Sequence, residues 1–319
     1  MSSDTISDVL KAVRLTGAVF FDCSAGENFV AETLRKEAVL PRMLTGADHL
    51  IAYHMVTQGS CFAAIIGERP IRVNAGEVII FTRGEPHVLS SSPGMRAAPV
   101  PPSTVDVALA SRLPFIINYG DEDRRQVRFV CGFLACDASP FNPLLGNLPS
   151  VLKVGAGQGW KALDTLIGLA IEESSERKPG GESVLAKLSE LMFVEALRRH
   201  LAELPEASSG WLAGLKDPVV GRALACLHSR PAENWTLEKL AAEIFSSRSV
   251  LADRFARLVG VPPMTYLGRW RMQLASGLLR SSHASVAAVA AQVGYTSEEA
   301  FSRAFSRTVG MAPSAWRKS

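Results

Sequence analysis

What the 319-residue chain lacks narrows the field before anything it contains. It has no apolar run approaching the roughly 20 residues that span a bilayer, and its opening "MSSDTISDVLKAVRLTG" has no secretory apolar core. The expectation is a cytoplasmic protein with no membrane partner. Cysteine is scarce: Cys23, Cys61, Cys131, Cys136 and Cys226 are the only five. In a reducing compartment they read as thiols, which excludes a disulfide framework. A strong excess of one charge is missing too, since the formal net charge is only +3. That small sum hides an asymmetry. From Asp217 onward there are 13 lysines and arginines against 7 acidic residues, and before it 21 against 24. A basic tail behind a mildly acidic body points to a polyanion for one part of the chain only.

Three kinds of pattern follow one another. Residues 50–137 read as β-structure, with short apolar runs ("CFAAII", "IRVN", "EVIIF") punctuated by Gly59, Gly67, Gly76 and Gly84. That spacing suggests an antiparallel sandwich or barrel. The proline-rich "MRAAPVPPSTVDVALASRLP" interrupts it as a loop, and "VRFVCGFLAC" resumes it. Between about Gly159 and Leu204 the period becomes helical, in two segments separated by "RKPGG". Their wide apolar stripes call for a partner surface, either their own domain or a second copy in a homodimer. The boundaries expected are 1–145 for a sensor domain, 146–210 for a helical dimerisation segment and linker, and 211–319 for an all-helical domain.

The last segment repeats itself. At an offset of fifty, Ser297 falls on Ser247, Phe305 on Phe255, Arg307 on Arg257, Gly310 on Gly260, Pro313 on Pro263 and Trp316 on Tyr266. In the first copy Thr236 caps one helix and Ser247 a second; in the other copy Ser285 and Ser297 do the same. Two short helices around a tight turn make a helix-turn-helix. The stretch "MTYLGRWRMQLASGLLRSS" between the copies would hold them roughly 25–30 Å apart at 1.5 Å per residue. One turn of DNA is roughly 34 Å, so both second helices could enter successive major-groove segments of an asymmetric site.

The run "WTLEKLAAEI…SRSVLADRFARLVGVPPMTYLGRWRMQLASGLLRSS…SVAAVAAQVGYTSEEAFSRAFSRTVGMAPSAWR" resembles the DNA-binding domain of the AraC/XylS family of transcription regulators. The resemblance implies double-stranded DNA and RNA polymerase as partners, most often with activation. It also implies that the second helix of each unit faces base edges: Arg248, Ser249, Ala252 and Asp253 in the first, Glu298, Glu299, Ser302 and Arg303 in the second. Arg303 can fork onto guanine, and Glu299 can accept from cytosine. The chain departs from the family pattern at Phe245, a turn position usually occupied by glycine, and at Ala252-Asp253, where longer donors are common. Arg254, Arg257, Arg269, Arg271 and Arg307 are expected at phosphate or solvent, and Phe255, Phe301, Phe305, Trp270, Leu274 and Leu278 in the core.

"GEVIIFTRGEPHVL" resembles the second cupin motif, and residues 1–210 resemble the cupin-type sensor half of some of these regulators. The fold class expected is therefore α+β: a cupin-like β-barrel with a helical dimerisation segment, then an all-α domain with two helix-turn-helix units. The sensor would respond to a small molecule or an oxidant. A metal-binding cupin needs an upstream His-x-His, and "HLIAYHMV" does not supply that spacing. His54, His87 and Cys131 are the candidate ligands for a divalent metal, against the plainer reading of barrel-lining histidines. Cys23, Cys131 and Cys136 are the candidate redox thiols. Cys23 is expected to be the most exposed of them, on an N-terminal arm, while Cys131 and Cys136, five apart on one strand, should point to opposite faces. The rival class is a metal-dependent cupin enzyme fused to a DNA-binding tail.

Overall fold

A computed structural model describes residues 4–33, 35–43, 47–98, 101, 103, 106–107, 115–119, 126–155, 161–176 and 178–318. Most of the proline-rich stretch, together with Arg124 and Arg125, lies outside the described residues. Contacts divide the chain into two compact units. One comprises residues 15–136 and 148–203; the other comprises 1–14, 137–147 and 204–319. The division differs from the expected boundaries. Residues 4–14 and the segment 137–147 group with the C-terminal helices, not with the barrel.

The β-rich unit starts earlier in the chain than the glycine punctuation suggested. Its strands are β1 (Thr16–Ala25), β2 (Val30–Glu32), β3 (His49–Gln58), β4 (Ser60–Ile65), β5 (Ile71–Asn74), β6 (Glu77–Phe81), β7 (His87–Ser90), β8 (Phe115–Tyr119), β9 (Val127–Cys136) and β10 (Val151–Gly155). They form a six-stranded sheet in the order β10-β6-β3-β9-β1-β8 and a four-stranded sheet in the order β2-β7-β4-β5. Side chains alternate across each strand, so one face of each sheet fills the core. Cys23, Val56, Cys61, Val73, Ile79, Phe81, Phe129 and Cys131 belong to one buried cluster there.

The stretch holding Cys23 is therefore no loose arm. It is β1, paired on one side with β9 and on the other with β8. Cys23 is 2% exposed because inward-facing positions of a doubly paired strand are closed off from solvent. The adjacent Asp22 takes the opposite face, where Arg128 bonds it at 2.6 Å. Short helix α2 (Lys36–Met43) lies between β2 and β3.

Helices α3 (Lys161–Glu176) and α4 (Gly181–Glu203) complete this unit. One stripe of α4, carrying Leu185, Leu188, Met192, Phe193 and Ala196, is buried, and the helix packs on β1, β9 and β10. The approach is close: a Cβ on Gly17 would lie 2.3 Å from Ser189 Oγ and 2.4 Å from the Ala186 carbonyl oxygen. The broad apolar stripe is thus largely used within the unit. Val184 and Leu191 remain outside it, at 45% and 51% exposure.

The second unit is helical: α1 (Thr5–Ala12), α5 (Trp211–Lys216), α6 (Val220–Ser229), α7 (Leu237–Glu243), α8 (Arg248–Val259), α9 (Pro263–Ser281), α10 (Val286–Gln292), α11 (Glu298–Val309) and α12 (Pro313–Trp316). Helix α1 packs on α6 and α9. Buried Gln273 of α9 binds both outlying segments: its side chain donates to the Ala12 carbonyl at 3.4 Å and accepts from the Phe141 amide at 3.0 Å. Asp137 joins them further, accepting two bonds from Arg14 at 2.7 and 2.9 Å. No helix among the described residues is long and apolar enough to cross a membrane.

Candidate nucleic-acid interface and barrel cavity

All four expected caps are in place. Thr236 accepts from the Lys239 amide, Ser247 from Val250, Ser285 from Ala288 and Ser297 from Ala300, at 3.1 to 3.3 Å. Each gives a partner to an amide that the helix start would otherwise leave open. Phe255, Phe301 and Phe305 are fully buried, Trp270 is 1% exposed, and Leu274 and Leu278 pack against the second unit's core. The copies are not superimposable residue for residue. The first caps, Thr236 and Ser285, lie 49 residues apart, and the second caps, Ser247 and Ser297, lie 50 apart. The second turn holds one extra residue.

The turns also differ in kind. Both close with the same pair of bonds: Phe245 N to Ala242 O and Ser246 N to Ala241 O in one, Gly294 N to Ala291 O and Tyr295 N to Ala290 O in the other. The residue after the C-cap is left-handed in each, with φ of 55° at Phe245 and 83° at Gly294. Glycine takes that conformation without steric cost. At Gly294 space also demands it, because a Cβ would sit 2.5 Å from the Ala232 carbonyl oxygen. Phe245 meets no such crowding and stands 91% exposed.

Helix α8 presents Arg248, Ser249 and Asp253 to solvent, with Ala252 half-buried; helix α11 presents Glu298, Glu299 and Arg303, with Ser302 half-buried. Arg248 is engaged by Glu238 at 2.6 Å. Two of the five expected phosphate arginines are structural. Arg254 donates to Asp217 at 2.7 Å, and Arg271 donates to the Pro231 and Glu233 carbonyls at 2.7 and 2.8 Å. Burial holds the Arg271 guanidinium below its ordinary pKa. Arg257, Arg269 and Arg307 remain exposed. Sequence periodicity cannot tell a helix-facing arginine that closes a loop from one that faces outward.

In the β-rich unit the structure brings His54, His87 and Cys131 together, but as a chain, not around one point. His54 and Cys131 are direct cross-strand partners on β3 and β9, and His87 comes from β7 of the other sheet. His87 Nδ1 lies 2.9 Å from the Glu85 carbonyl oxygen, which can only accept, so the neutral ring carries its proton there. His87 Nε2 then accepts from His54 Nε2–H at 2.6 Å. That leaves His54 Nδ1 to accept the Cys131 thiol proton, also at 2.6 Å. Burial pushes His87 down to about 4 and His54 well below its ordinary value, with the His87 charge a lesser cause for His54. Burial raises the Cys131 thiol well above its usual range, and the neighbouring Cys23 thiol adds to the effect. The neutral forms are the stable ones.

This arrangement does not fit a metal. One imidazole aims its two nitrogens in opposite directions, and a single ion cannot take both. Among the described residues no group of three or more His, Cys, Asp or Glu side chains is placed to hold one. Cys131, His54 and Cys23 instead line a cavity of about 90 Å³ with Phe21, Tyr119 and Phe129 among its apolar walls. Cys136 is buried on the other face of β9, opposite His49, as the five-residue spacing requires. Cys61 is buried too, and burial lifts its thiol to about 12.

A β-sandwich carrying a cavity lined by His54, joined in one chain to paired helix-turn-helix units, defines a DNA-binding protein of two parts. The Cupin family matches residues 4–202, and the helix-turn-helix domain family matches residues 240–319. An AraC-like transcription regulator of Streptomyces lividans is 37% identical over 85% of this chain and 88% of its own. The RCS-specific transcriptional activator RclR of Escherichia coli K12 is 28% identical over 61% of this chain and 69% of its own. Among solved structures, the DNA-binding domain of AdpA in complex with a target DNA is 33% identical over 32% of this chain and 91% of that one, with a TM-score of 0.31. The chain belongs to the AraC family of helix-turn-helix transcription regulators, with an N-terminal cupin domain. It is a DNA-binding transcription regulator, and its relatives are regulators, not enzymes, which sets aside the cupin-enzyme reading.

Proposed function

We propose that the chain activates transcription with RNA polymerase when a small molecule or oxidant enters the barrel cavity beside Cys131. The observation that carries this reading is the cavity itself: walled mainly by apolar side chains, yet lined by two thiols and one end of a hydrogen-bonded imidazole chain. At about 90 Å³ its inner space is smaller than the roughly 150 Å³ cavity that holds benzene, which favours a small occupant. Burial disfavours a resting Cys131 thiolate, the nucleophilic form, which supports an uncharged small molecule ahead of an oxidant as the occupant. The oxidant arm gains support from the relative named RCS-specific. Reporter induction by hypochlorous acid, peroxide and a panel of small metabolites tests it. Cys131→Ser and Cys23→Ser should blunt the oxidant responses, and Ala31→Leu, which fills the cavity, should blunt every response. Unchanged induction in all three variants would overturn the proposal.

On the DNA side, the reading assigns base contacts to Arg248, Ser249, Ala252 and Asp253 of α8 and to Glu298, Glu299, Ser302 and Arg303 of α11. The exposure of six of them, all but Ala252 and Ser302, along the capped starts of the two helices supports it. Homodimerisation through α3 and α4 is supported by Leu169, Val184 and Leu191, exposed at 47%, 45% and 51%. Sedimentation of the full chain should give a dimer, and Leu191→Glu should shift it toward monomer.

A further inference from the structure

We infer that the first helix-turn-helix unit reads thymine through its C5-methyl group, by apolar contact from Phe245 and Val250, whereas the second unit reads base edges by hydrogen bonding. The inference rests on the placing of α8 toward base edges proposed above. It starts from two unfavourable features of Phe245 that nothing inside the unit offsets. A bulky side chain is held at φ 55°, a conformation L-residues avoid, and its ring stands 91% exposed to water. The equivalent turn of the second unit uses glycine. An aromatic ring kept at a strained, solvent-facing position one turn ahead of a reading helix needs a contact outside the chain.

The first turn of α8 agrees. Val250, in the first turn of α8, is 44% exposed, and by helical spacing it shares the outward side with Ser249 and Asp253. Phe245 and Val250 are the two large apolar residues exposed in this unit among those described. Two of the polar groups here already have a partner within the chain. The Arg248 guanidinium is bonded to Glu238 at 2.6 Å, and Ser249 Oγ lies 3.2 Å from Ser247 Oγ. Ala252 can neither donate nor accept, and the Asp253 carboxylate offers no donor. What α8 and its turn bring forward is apolar. In the major groove the only apolar group a base presents is the thymine methyl, for which phenylalanine and alanine are known partners by geometry. Helix α11 contrasts: Glu298, Glu299 and Arg303 are exposed at its start, and no large apolar side chain among its residues is.

The test uses the full chain and a binding site recovered from a random-sequence DNA pool. Each thymine is replaced in turn by uracil, which lacks only the methyl group. At one or more positions the affinity should fall about fourfold, the value of burying one methylene-sized group. Phe245→Gly should abolish that thymine preference and weaken binding to the thymine site to the level of the uracil site. The same variant should raise the melting temperature, since it relieves the left-handed strain. A thymine preference that survives Phe245→Gly, or no uracil-sensitive position at all, would overturn the inference. Ala252→Glu separates its failure from that of the parent reading. If Ala252→Glu weakens binding while uracil has no effect, α8 faces DNA without reading methyl groups. If Ala252→Glu leaves affinity unchanged, α8 does not face base edges and both readings fall.

Discussion

The two helix-turn-helix units share a scaffold and differ in the parts that would meet a ligand. Their caps, buried phenylalanines and C-terminal glycines correspond. Their turns and outward faces do not: one carries Phe245, a salt-bridged Arg248 and Asp253, the other Gly294, an extra turn residue and an exposed Arg303. Interior positions answer to packing density and tolerate little change. Outward positions answer to the partner, so duplication can keep one fold while assigning its copies different tasks.

The largest expected effects test the shared part. Phe255→Ala and Phe305→Ala each remove a fully buried ring and should cost about 3–5 kcal/mol in denaturant unfolding, with similar values if the cores are equivalent. Acid should separate the units next. Burial lowers His228 to about 3, and its ring lies tilted 4.2 Å from that of Trp270 and bonds Tyr266 at 2.7 Å, both beside the first unit. Its unfolded-state pKa is about 6.5. The unfolded chain therefore binds the extra proton first, and stability falls as pH drops from about 6.5 toward 3. Hydrogen exchange should show protection lost in α6, α7 and α8 before α10 and α11; simultaneous loss would break the comparison.

Arg303→Ala should cost roughly 1–3 kcal/mol at one base pair and flatten discrimination there, read by binding to single-base variants of the site. An equal loss on every sequence would make Arg303 a phosphate contact. The cap variants Ser247→Ala and Ser297→Ala should each lower stability by about 1 kcal/mol in thermal unfolding. The smallest effect belongs to the first unit's charges. Glu238→Gln frees Arg248 and should tighten DNA binding modestly without a measurable change in melting temperature, because both side chains of that pair are more than half exposed.

The C-terminal unit was largely legible in the sequence because its determinants are local. A cap serine and the amide it bonds lie three residues apart, and buried phenylalanines recur at helical spacing. The errors came where a side chain's partner lies far along the chain. Arg254 meets Asp217 across 37 residues, and Arg271 meets Pro231 across 40. Both looked like free cations on a helix face. The thiol chain was half legible. The cupin-like motif marked His87, and cross-strand register put His54 opposite Cys131 across 77 residues. Cys23 was misplaced because β1 is short of glycine punctuation, and only its pairing with β8 and β9 shows it to be interior.

The position of α1 has a consequence for synthesis. Val9 and Val13 are buried, and their helix packs on α6 and α9, more than two hundred residues later in the chain. At translation rates of about 5–20 residues per second, α1 emerges roughly 15–60 s before the last helix of its unit has been made. Eight residues do not hold a helix alone in water. During that interval the segment stays uncoiled while the β-rich unit folds behind it. The helical unit thus gains its contact with α1 only after the residues of the β-rich unit have been made.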